Sequence, residues 1–261
     1  MIRVAVLAAI LALAACNGHS GDSQDWSDGL QPDKVQSGYA FLTQETQALQ
    51  DDAFANPGLL WVDRGEALFT SSDQDGKACM SCHSNGLIGA AASYPAKDET
   101  TGELVNLEGR INLCRTRHQE LEPLAYESEA LLALTAYVAS QSRGMPYSVR
   151  TDGDMKAHYE NGRAYFYARR GQFNLSCHQC HDQSYGAKLR GDTISQGHVN
   201  GFPAYRLEWQ GMGSSHRRLY DCDTGVRAEP LNLGDLRYVE VELFLAARAA
   251  SLPLESPAVR R

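Results

Sequence analysis

Two short cysteine–histidine motifs contain the residues whose types and spacing are best suited to chemistry. Residues 79–83 read CMSCH and residues 177–181 read CHQCH, so both follow the pattern C-x-x-C-H. Two thiols at this spacing can add to both vinyl groups of one haem, and the adjacent histidine is then held beneath the iron. The chain is therefore predicted to carry two covalently bound haem c groups, with His83 and His181 as axial iron ligands. The attachment cysteines are Cys79, Cys82, Cys177 and Cys180.

Other uses of paired cysteines fit these motifs less well. Structural zinc pairs usually lie about 15 to 20 residues apart, whereas these two pairs are far more widely separated. A thioredoxin-like redox pair has no need of a following histidine. Simple disulfides are a further alternative, because oxidising compartments favour them. Two copies of the full pentapeptide favour haem attachment over all three.

A second repeated element supplies candidates for the remaining axial position of each iron. Residues 110–114 read RINLC and residues 218–222 read RLYDC, and each element follows its own haem motif. Two equivalent cysteines in two haem-binding halves are most simply two thiolate ligands, so Cys114 and Cys222 are predicted to complete the axial sets. Two alternatives stay open: a Cys114–Cys222 disulfide, and Met212 as the ligand of the second haem. Further histidine candidates are His118, His198 and His216.

The elements that must position these residues also occur twice. GEALF at 65–69 precedes the first motif and GRAYF at 162–166 precedes the second, and each is predicted to lie on a helix. An apolar-periodic helix ends each half, over residues 128–144 and 235–250. Helix, haem loop, irregular stretch and final helix is the order of a class I cytochrome c domain. The fold class is therefore predicted to be mainly α, with two tandem class I cytochrome c-like domains related by an internal repeat.

Local signals suggest where these helices begin and end. Asn56-Pro57 is predicted to begin the first helix, and Asp154 is predicted to cap its counterpart in the second copy. Gly171 is predicted to stop that second helix. The stretch between each haem motif and its last helix is Gly-rich and is predicted to be irregular. The first helix of each half is expected to pack against the last.

These signals divide the chain into four predicted segments. Residues 1–16 are a signal peptide, residues 17–50 an N-terminal tether and helix, residues 51–150 the first cytochrome c domain and residues 151–261 the second. The second domain is predicted to hold the active site. Below, residues 51–150 are called the first half and residues 151–261 the second half.

The N-terminus is predicted to direct export. Arg3 is followed by an unbroken apolar run that is too short to span a bilayer as a mature helix, and small residues end it. Two cleavage sites fit: the A-x-A site at residues 12–14, and a lipobox over residues 13–16 that would make Cys16 a lipidated first residue. Membrane association is expected only if Cys16 is lipidated, since no other segment is long and apolar enough to cross a membrane.

The charge balance excludes one class of partner. The formal net charge is -8 at pH 7, with 32 acidic and 24 basic residues. General nucleic-acid binding needs a basic surface to offset the phosphates, so no nucleic-acid partner is expected. The hydrophobic content of 43% predicts a packed globular core.

Taken together, these motifs resemble the SoxA family, the dihaem subunit of the SoxAX cytochrome of bacterial thiosulfate oxidation. The resemblance rests on the two C-x-x-C-H motifs, the Arg-x-x-x-Cys element in each half and the export signal. It covers the chain from about residue 35 to its end, and RRLYDC at 217–222 is its most specific part. It implies a periplasmic L-cysteine S-thiosulfotransferase that conjugates thiosulfate oxidatively to a cysteine of the SoxYZ carrier. It also implies a heterodimer with a small SoxX-like cytochrome c that takes the electrons.

The chemistry of that reaction gives roles to two residues. Thiosulfate is a dianion, so joining it to a cysteine needs a clamp for its oxygens, a sulfur that forms an S–S bond, and a sink for two electrons. Arg218 suits the first role because its guanidinium is permanently charged and binds oxyanions through paired hydrogen bonds. Cys222 suits the second, and the resemblance implies that it can carry an extra sulfur as a persulfide. The first haem is implied to lie away from substrate, and Arg110 is expected to pair with a haem propionate.

Three classes of function are compatible with two haem sites. The first is the sulfur-transferring enzyme. The second is a plain periplasmic dihaem electron carrier, which predicts Met or His as sixth ligand and a dispensable Cys222. The third is a haem-based gas sensor, which normally comes with a signalling domain. The repeated Arg-x-x-x-Cys element favours the enzyme, because an electron carrier has no use for an oxyanion clamp beside its ligand.

Overall fold

The computed structural model describes residues 34–72 and 76–261. The predicted signal peptide, the lipobox and most of the predicted tether lie outside these ranges. Within them the fold is mainly α, which confirms that part of the predicted fold class. The α-helices are α1 (Gln44–Asp51), α2 (Leu59–Thr70), α3 (Cys79–Cys82), α4 (Leu107–Cys114), α5 (Glu129–Ser140), α6 (Lys156–Tyr167), α7 (Cys177–His181), α8 (Ser215–Gly225) and α9 (Leu236–Arg248).

Short strands and single turns of other helix types connect these helices. Two hairpins and one three-stranded sheet are formed by β1 (Ala96–Lys97) with β2 (Leu104–Val105), by β3 (Lys188–Leu189) with β4 (Asp192–Thr193), and by β5 (Ala204–Arg206), β6 (Gly211–Gly213) and β7 (Ala258–Arg260). In the sheet, β5 pairs antiparallel with β6 and parallel with β7. The 3₁₀ turns are Gly38–Phe41, Ala90–Ser93 and Gly153–Met155, and Arg115–Gln119 forms a π-helical turn. None of the helices in the described ranges is long and apolar enough to cross a bilayer.

The first and last helices of each half cross at a glycine. A Cβ on Gly65 of α2 would lie 2.0 Å from the carbonyl oxygen of Ala133 on α5. A Cβ on Gly162 of α6 would lie 1.9 Å from the carbonyl oxygen of Glu240 on α9. Only glycine permits such close backbone approach. The predicted packing of first helix on last helix is therefore confirmed in both halves.

Each of the two last helices begins directly after the first residue of its predicted range, and that residue caps the helix. The Ser128 side chain accepts a hydrogen bond from the Leu131 amide at the start of α5, and the Asp235 side chain accepts one from the Arg237 amide at the start of α9. These bonds satisfy amides that have no partner inside the helix. Both helices then bury an apolar face, with Leu131 and Leu243 fully enclosed.

Three of the predicted boundaries of the first helices are wrong. Helix α2 begins at Leu59, two residues late, because the Asn56 side chain accepts from the Gly58 amide and forms a turn before the helix. Asp154 caps nothing, since its carboxylate pairs with Lys97 at 2.9 Å. Helix α6 ends before Gly171, whose backbone adopts a φ of +69° in a separate turn.

The stretches predicted to be irregular contain a helix in each half. Cys114 is the last residue of α4, and Cys222 lies inside α8. Both helices have a side-chain cap: Asn106 accepts from the Gly109 amide, and Ser214 accepts from the Arg217 amide. Each candidate distal cysteine is thus held by a capped helix and not by a loop.

The two halves exchange one apolar residue each, at matching positions. Leu104 stands ten residues before Cys114, and Met212 stands ten residues before Cys222. Leu104 packs in a core cluster with second-half residues Met155, Val239 and Leu243. Met212 packs in a core cluster with first-half residues Leu132 and Ala136. Each half therefore completes the core of the other.

The end of the first half, over residues 146–148, is packed against both halves. Pro146 forms an isolated bridge with Pro253, and the Ser148 amide donates to the Ala92 carbonyl at 2.8 Å. The N-terminal helix is tied to the C-terminal strand in the same way: the Val259 amide donates to the Gln50 side chain at 3.0 Å.

Candidate functional site

The histidine of the second haem motif is fixed with one ring nitrogen free. Nδ1 of His181 lies 2.7 Å from the Ser195 carbonyl oxygen, which can only accept, so this nitrogen carries the proton. A Cβ on Gly197 would lie 2.8 Å from Cγ of His181, so the backbone of this glycine packs directly against the ring. The unprotonated Nε2 is left as the donor atom for a metal. This is the arrangement that an axial histidine needs.

Cys222 lies opposite that free nitrogen. Burial would raise the pKa of the Cys222 thiol, but the charge of Arg218 and a hydrogen bond with His181 outweigh burial and lower it to about 7. The charge of Cys222 in turn is the main reason that the pKa of Arg218 is raised. The structure therefore brings together the histidine, the cysteine and the arginine that the sequence predicted for this site.

The attachment cysteines belong to the same group. Burial raises the pKa of Cys177 to about 12, and the nearby Cys222 contributes to that rise. Burial and Cys222 also raise the pKa of Cys180. Two thiols for attachment, an imidazole nitrogen and a facing thiol form the donor set that haem c requires, so the residues present fit this group.

Helix α8 is anchored beside Cys222 by a carboxylate that the sequence reading did not single out. Asp223 is buried, and its carboxylate accepts hydrogen bonds from Tyr165 at 2.6 Å and from Tyr238 at 2.8 Å. It also pairs with Arg170 at 3.0 Å. These bonds come from α6, α9 and the loop before α7, so they fix the rotation of α8 and with it the direction of the Cys222 side chain.

The first half assembles the corresponding residues with a different charge pattern. Cys114 lies close enough to Cys79 to raise its pKa, although burial is the larger cause. The ring of Phe69 lies 6.4 Å from the ring of His83. Arg110 does not stand free beside its cysteine, because it pairs with the fully buried carboxylate of Asp98 at 3.1 Å.

Asp98 binds a second arginine as well. Arg117 donates two hydrogen bonds of 2.8 Å to its carboxylate, and the Arg117 bonds are the main reason that the pKa of Asp98 is held below its usual range. In the described structure, Arg110 is paired with the side chain of Asp98. The predicted contact of Arg110 with a haem propionate stays a prediction. No pattern in the sequence singles out Asp98, which lies in the connection between β1 and β2.

Most of the alternative ligands have other partners. Met212 is fully buried in the core of the first half. Nε2 of His216 lies 3.1 Å from Glu242, and Nε2 of His198 lies 3.3 Å from Gln196. Nδ1 of His178, inside the second haem motif, lies 2.8 Å from Asp182. His118 lies on the π-helical turn that follows Cys114.

The disulfide and zinc alternatives receive no support in the described ranges. Cys114 and Cys222 are both free thiols, as are the four cysteines of the motifs. Residues 34–72 and 76–261 contain no cluster of three histidine, cysteine, aspartate or glutamate side chains placed to hold a bare metal ion.

Comparison with known proteins gives one consistent result. The SoxA/TsdA cytochrome c domain family matches residues 64–147. L-cysteine S-thiosulfotransferase subunit SoxA of Rhodovulum sulfidophilum is 38% identical, over 87% of this chain and 81% of the relative. The subunit of the same name from Paracoccus pantotrophus is 35% identical, over 87% and 80%. A chain in the crystal structure of SoxXA from P. pantotrophus superposes with a TM-score of 0.84 at 35% identity, covering 87% of each chain.

Proposed function

This chain belongs to the SoxA family of L-cysteine S-thiosulfotransferase subunits, and from that membership we propose that Cys222 is the sulfur at which it joins thiosulfate to a carrier cysteine. The observation that carries this proposal is the grouping of Cys222, Arg218 and His181. A partly buried thiol with a permanent positive charge beside it is suited to receive an anionic sulfur compound.

The chain has residues for two haem c groups. Cys79 and Cys82 would attach the first, with His83 and Cys114 as axial ligands. Cys177 and Cys180 would attach the second, with His181 and Cys222 as axial ligands. When bound, haem c supplies the one-electron acceptor that oxidation of sulfur needs.

The two haem-binding halves are proposed to be copies of one class I cytochrome c-like domain, residues 51–150 and 151–261. Three features support this. The glycine crossings of α2 with α5 and of α6 with α9 are equivalent. The capped helices α4 and α8 both carry a distal cysteine. The exchanged residues Leu104 and Met212 stand at the same distance from those cysteines.

The reaction is proposed to take place in two steps that balance in atoms and electrons. In the first, the Cys222 thiolate and thiosulfate lose two electrons and form an S–S bond, giving Cys222–S–S–SO₃⁻. In the second, the thiolate of the carrier cysteine attacks the sulfane sulfur, breaks that bond and releases Cys222 as a thiolate. The carrier then holds the S-thiosulfonate. Arg218 offsets the repulsion between thiolate and thiosulfate in the first step.

The partners follow from the same family membership. The electrons leave to a SoxX-like small cytochrome c that forms a heterodimer with this chain, and the carrier is a SoxYZ-type protein. Both steps take place in the periplasm, because the predicted signal peptide directs the chain to that compartment. Cys16 is the residue at which lipidation would add a membrane anchor.

A plain electron carrier is the alternative function. It requires Cys222 to be replaceable and leaves Arg218 without a task. Arg218 has no hydrogen-bonded carboxylate in the described part of the chain, and the charge that influences it most is that of Cys222. An arginine kept free beside a thiol favours the enzyme.

The chain offers its own matched control for the decisive experiment. Cys222→Ala and Cys114→Ala each remove one distal cysteine from equivalent helices. Each variant, with both haems attached, is combined with the small cytochrome partner, the reduced carrier, thiosulfate and an electron acceptor. Mass spectrometry then follows the gain of a thiosulfonate on the carrier cysteine. We expect wild type and Cys114→Ala to conjugate, and Cys222→Ala to lose at least a hundredfold in rate.

Two results would contradict the proposal. Equal conjugation by Cys222→Ala and wild type would leave Cys222 as a ligand only and return the chain to the electron carriers. Equal loss in both variants would show that each haem site is needed for electron flow, with no special part for the sulfur of Cys222.

A further inference from the structure

A second buried arginine lies on the sheet beside the Cys222 site. Arg206 ends β5, where it pairs with Gly211 of β6 and with Arg260 of β7. The turn that follows places the Trp209 ring under its guanidinium, with Cζ of Arg206 4.7 Å from the ring centroid. The ring fits there because residue 213 is glycine, where a Cβ would lie 2.2 Å from Cζ3 of Trp209. Strand pairing and ring together fix this side chain.

The hydrogen bonds of Arg206 are incomplete. Its side chain is only 8% exposed, and Nη2 donates to Glu208 at 3.0 Å. Glu208 itself is 66% exposed, so it screens the buried charge poorly. Nε of Arg206 is buried and has no acceptor in the described structure. Such an unpaired donor is costly, and charged groups are rarely buried without partners.

Arg260 is another buried arginine, and it shows how this chain satisfies the hydrogen bonds of a guanidinium that has only a structural role. Arg260, on the neighbouring strand, is paired with Glu255 and donates to the Gln50 side chain and to the Val259 carbonyl oxygen. No nitrogen of Arg260 is left without a partner among the buried atoms of the described residues. Nε is also open in Arg115 and Arg248. Arg248, however, pairs with the buried carboxylate of Asp182 at 2.6 Å, whereas the carboxylate partner of Arg206 is the exposed Glu208.

Arg206 lies beside the Cys222 helix, because the Trp209 ring under its guanidinium donates through Nε1 to Asp221 of α8, the residue before Cys222, at 3.0 Å. Burial is the first cause that lowers the pKa of Arg206, and the like charge of Arg218 is the second. The charge of Cys222 acts on Arg206 in the opposite direction. Two guanidinium groups thus converge on one thiol, although like charges at close range repel each other. An anion between them would remove that repulsion and accept the open Nε–H.

We propose that Arg206 is a second anion-binding residue of this site, and that it holds the sulfonate oxygens of thiosulfate together with Arg218. The inference rests on the function proposed above. The reaction brings a thiolate and a dianion together, and a single arginine offsets only part of that charge. Two guanidinium groups on different elements, β5 and α8, also define where the sulfonate lies. The sulfane sulfur is then directed at Cys222.

Arg217 is the control that the chain offers. Its Cζ lies 4.2 Å from the centroid of the same Trp209 ring, so it shares the aromatic contact of Arg206. It is 38% exposed and its charge is directed at Glu127, 3.8 Å away. Removing Arg217 removes one positive charge and one contact to Trp209 but takes no donor from the anion site.

The experiment compares Arg206→Gln, Arg206→Lys and Arg217→Gln with wild type in the dihaem protein bound to its small cytochrome. Sulfate is the unreactive probe, because it is a tetrahedral dianion without a sulfane sulfur, and its Kd is measured by calorimetry. KM and kcat for thiosulfate come from the conjugation assay. We expect Arg206→Gln to raise the sulfate Kd and the thiosulfate KM about tenfold or more, with a smaller change in kcat. Arg206→Lys should recover part of this loss, since it keeps the charge without the planar fork.

The outcomes separate this inference from the proposed function. Sulfate binding does not depend on conjugation, so a wild type that binds sulfate through Arg206 but conjugates nothing would overturn the function alone. Wild-type values of sulfate Kd and thiosulfate KM in Arg206→Gln would overturn the inference alone, and so would equal losses in Arg217→Gln. If Arg206→Gln fails to retain both haems, Arg206→Lys decides: a sulfate Kd at least threefold weaker supports the inference, and an unchanged Kd overturns it.

Discussion

The two distal cysteines lie on helices of the same kind, yet the arginine four residues before each cysteine has a different environment. Arg110 pairs with Asp98, which also binds Arg117. The positive charge of Arg110 is therefore already paired with a carboxylate. Arg218 has no such carboxylate partner in the described ranges, and its strongest electrostatic interaction is with Cys222. A cysteine ligand and a nearby arginine are thus not sufficient for an oxyanion site. What distinguishes the second half is Arg218, whose charge acts on the cysteine and has no hydrogen-bonded carboxylate partner in the described ranges.

The surroundings of the two helices differ in the same sense. Asp223 anchors α8 through two tyrosines and Arg170 directly beside Cys222. A second arginine, Arg206, adds charge from the sheet. In the first half, the buried carboxylate of Asp98 takes the corresponding positive charges away from the cysteine. Positive charge near Cys222 is therefore left available to bind an anion, whereas the positive charge near Cys114 is neutralised by Asp98.

The largest expected effect concerns what the halves share. Leu104→Ala and Met212→Ala each leave a cavity in the core of the opposite half, and we expect each to lower the free energy of unfolding by about 2 to 4 kcal/mol. Urea unfolding followed by circular dichroism measures both. Similar losses with a single transition would support the reciprocal exchange. A loss below about 1 kcal/mol in either variant would show that its contact across the halves is not needed.

The next effect tests the difference between the two arginines. We expect Arg218→Gln to lower kcat/KM for thiosulfate about a hundredfold, because a charged hydrogen bond to the substrate is lost. Arg110→Gln should change kcat/KM less than twofold, since its charge is directed at Asp98. The conjugation assay with the carrier measures both. An equal loss from the two variants would make the comparison between halves wrong.

The last effect, which is spread over several pH units, concerns a buried carboxyl group between the halves. Burial, and then the nearby Glu242 and Glu127, raise the pKa of Glu108 to about 8. The folded state then keeps a proton that the unfolded state releases near its ordinary pKa of 4.5. Between these values, the free energy of unfolding should fall as pH rises, by up to about 1.4 kcal/mol per unit. We expect Glu108→Gln to remove most of this decline between pH 5 and pH 8 in urea unfolding.

Glu129 provides the control for that measurement. It is an exposed glutamate that pairs with Arg64 on the surface, so Glu129→Gln should leave the pH dependence as it is in wild type. An unchanged slope in Glu108→Gln would mean that Glu108 releases its proton at an ordinary pH in the folded state.

Covalent chemistry and local signals made much of this predictable from the sequence. The C-x-x-C-H motifs rest on thioether geometry, and Ser128 and Asp235 cap α5 and α9 because a short polar side chain satisfies free amides. The helices that carry Cys114 and Cys222 were missed because glycines nearby outweighed the capping signals at Asn106 and Ser214. A cap followed by the cysteine eight residues later was the available sign.

Contacts between distant residues were beyond the reach of local patterns. Asp98 and Asp223 acquire their roles from arginines and tyrosines that the fold brings to them. Arg206 looks like an ordinary strand residue until its open donor and its contact with Trp209 are known. The exchange of Leu104 and Met212 joins residues about a hundred positions apart, and neither has a periodic pattern that marks its partner.

That exchange ties the fate of the two halves together. A first half expressed alone would lack Met212 and offer the surface of Leu132 to water, and a second half alone would lack Leu104. Neither half is a transferable module that gene truncation or recombination can detach intact. The second half, where we propose the reaction at Cys222, therefore depends on the first half for part of its own core, whatever the first half contributes to the reaction.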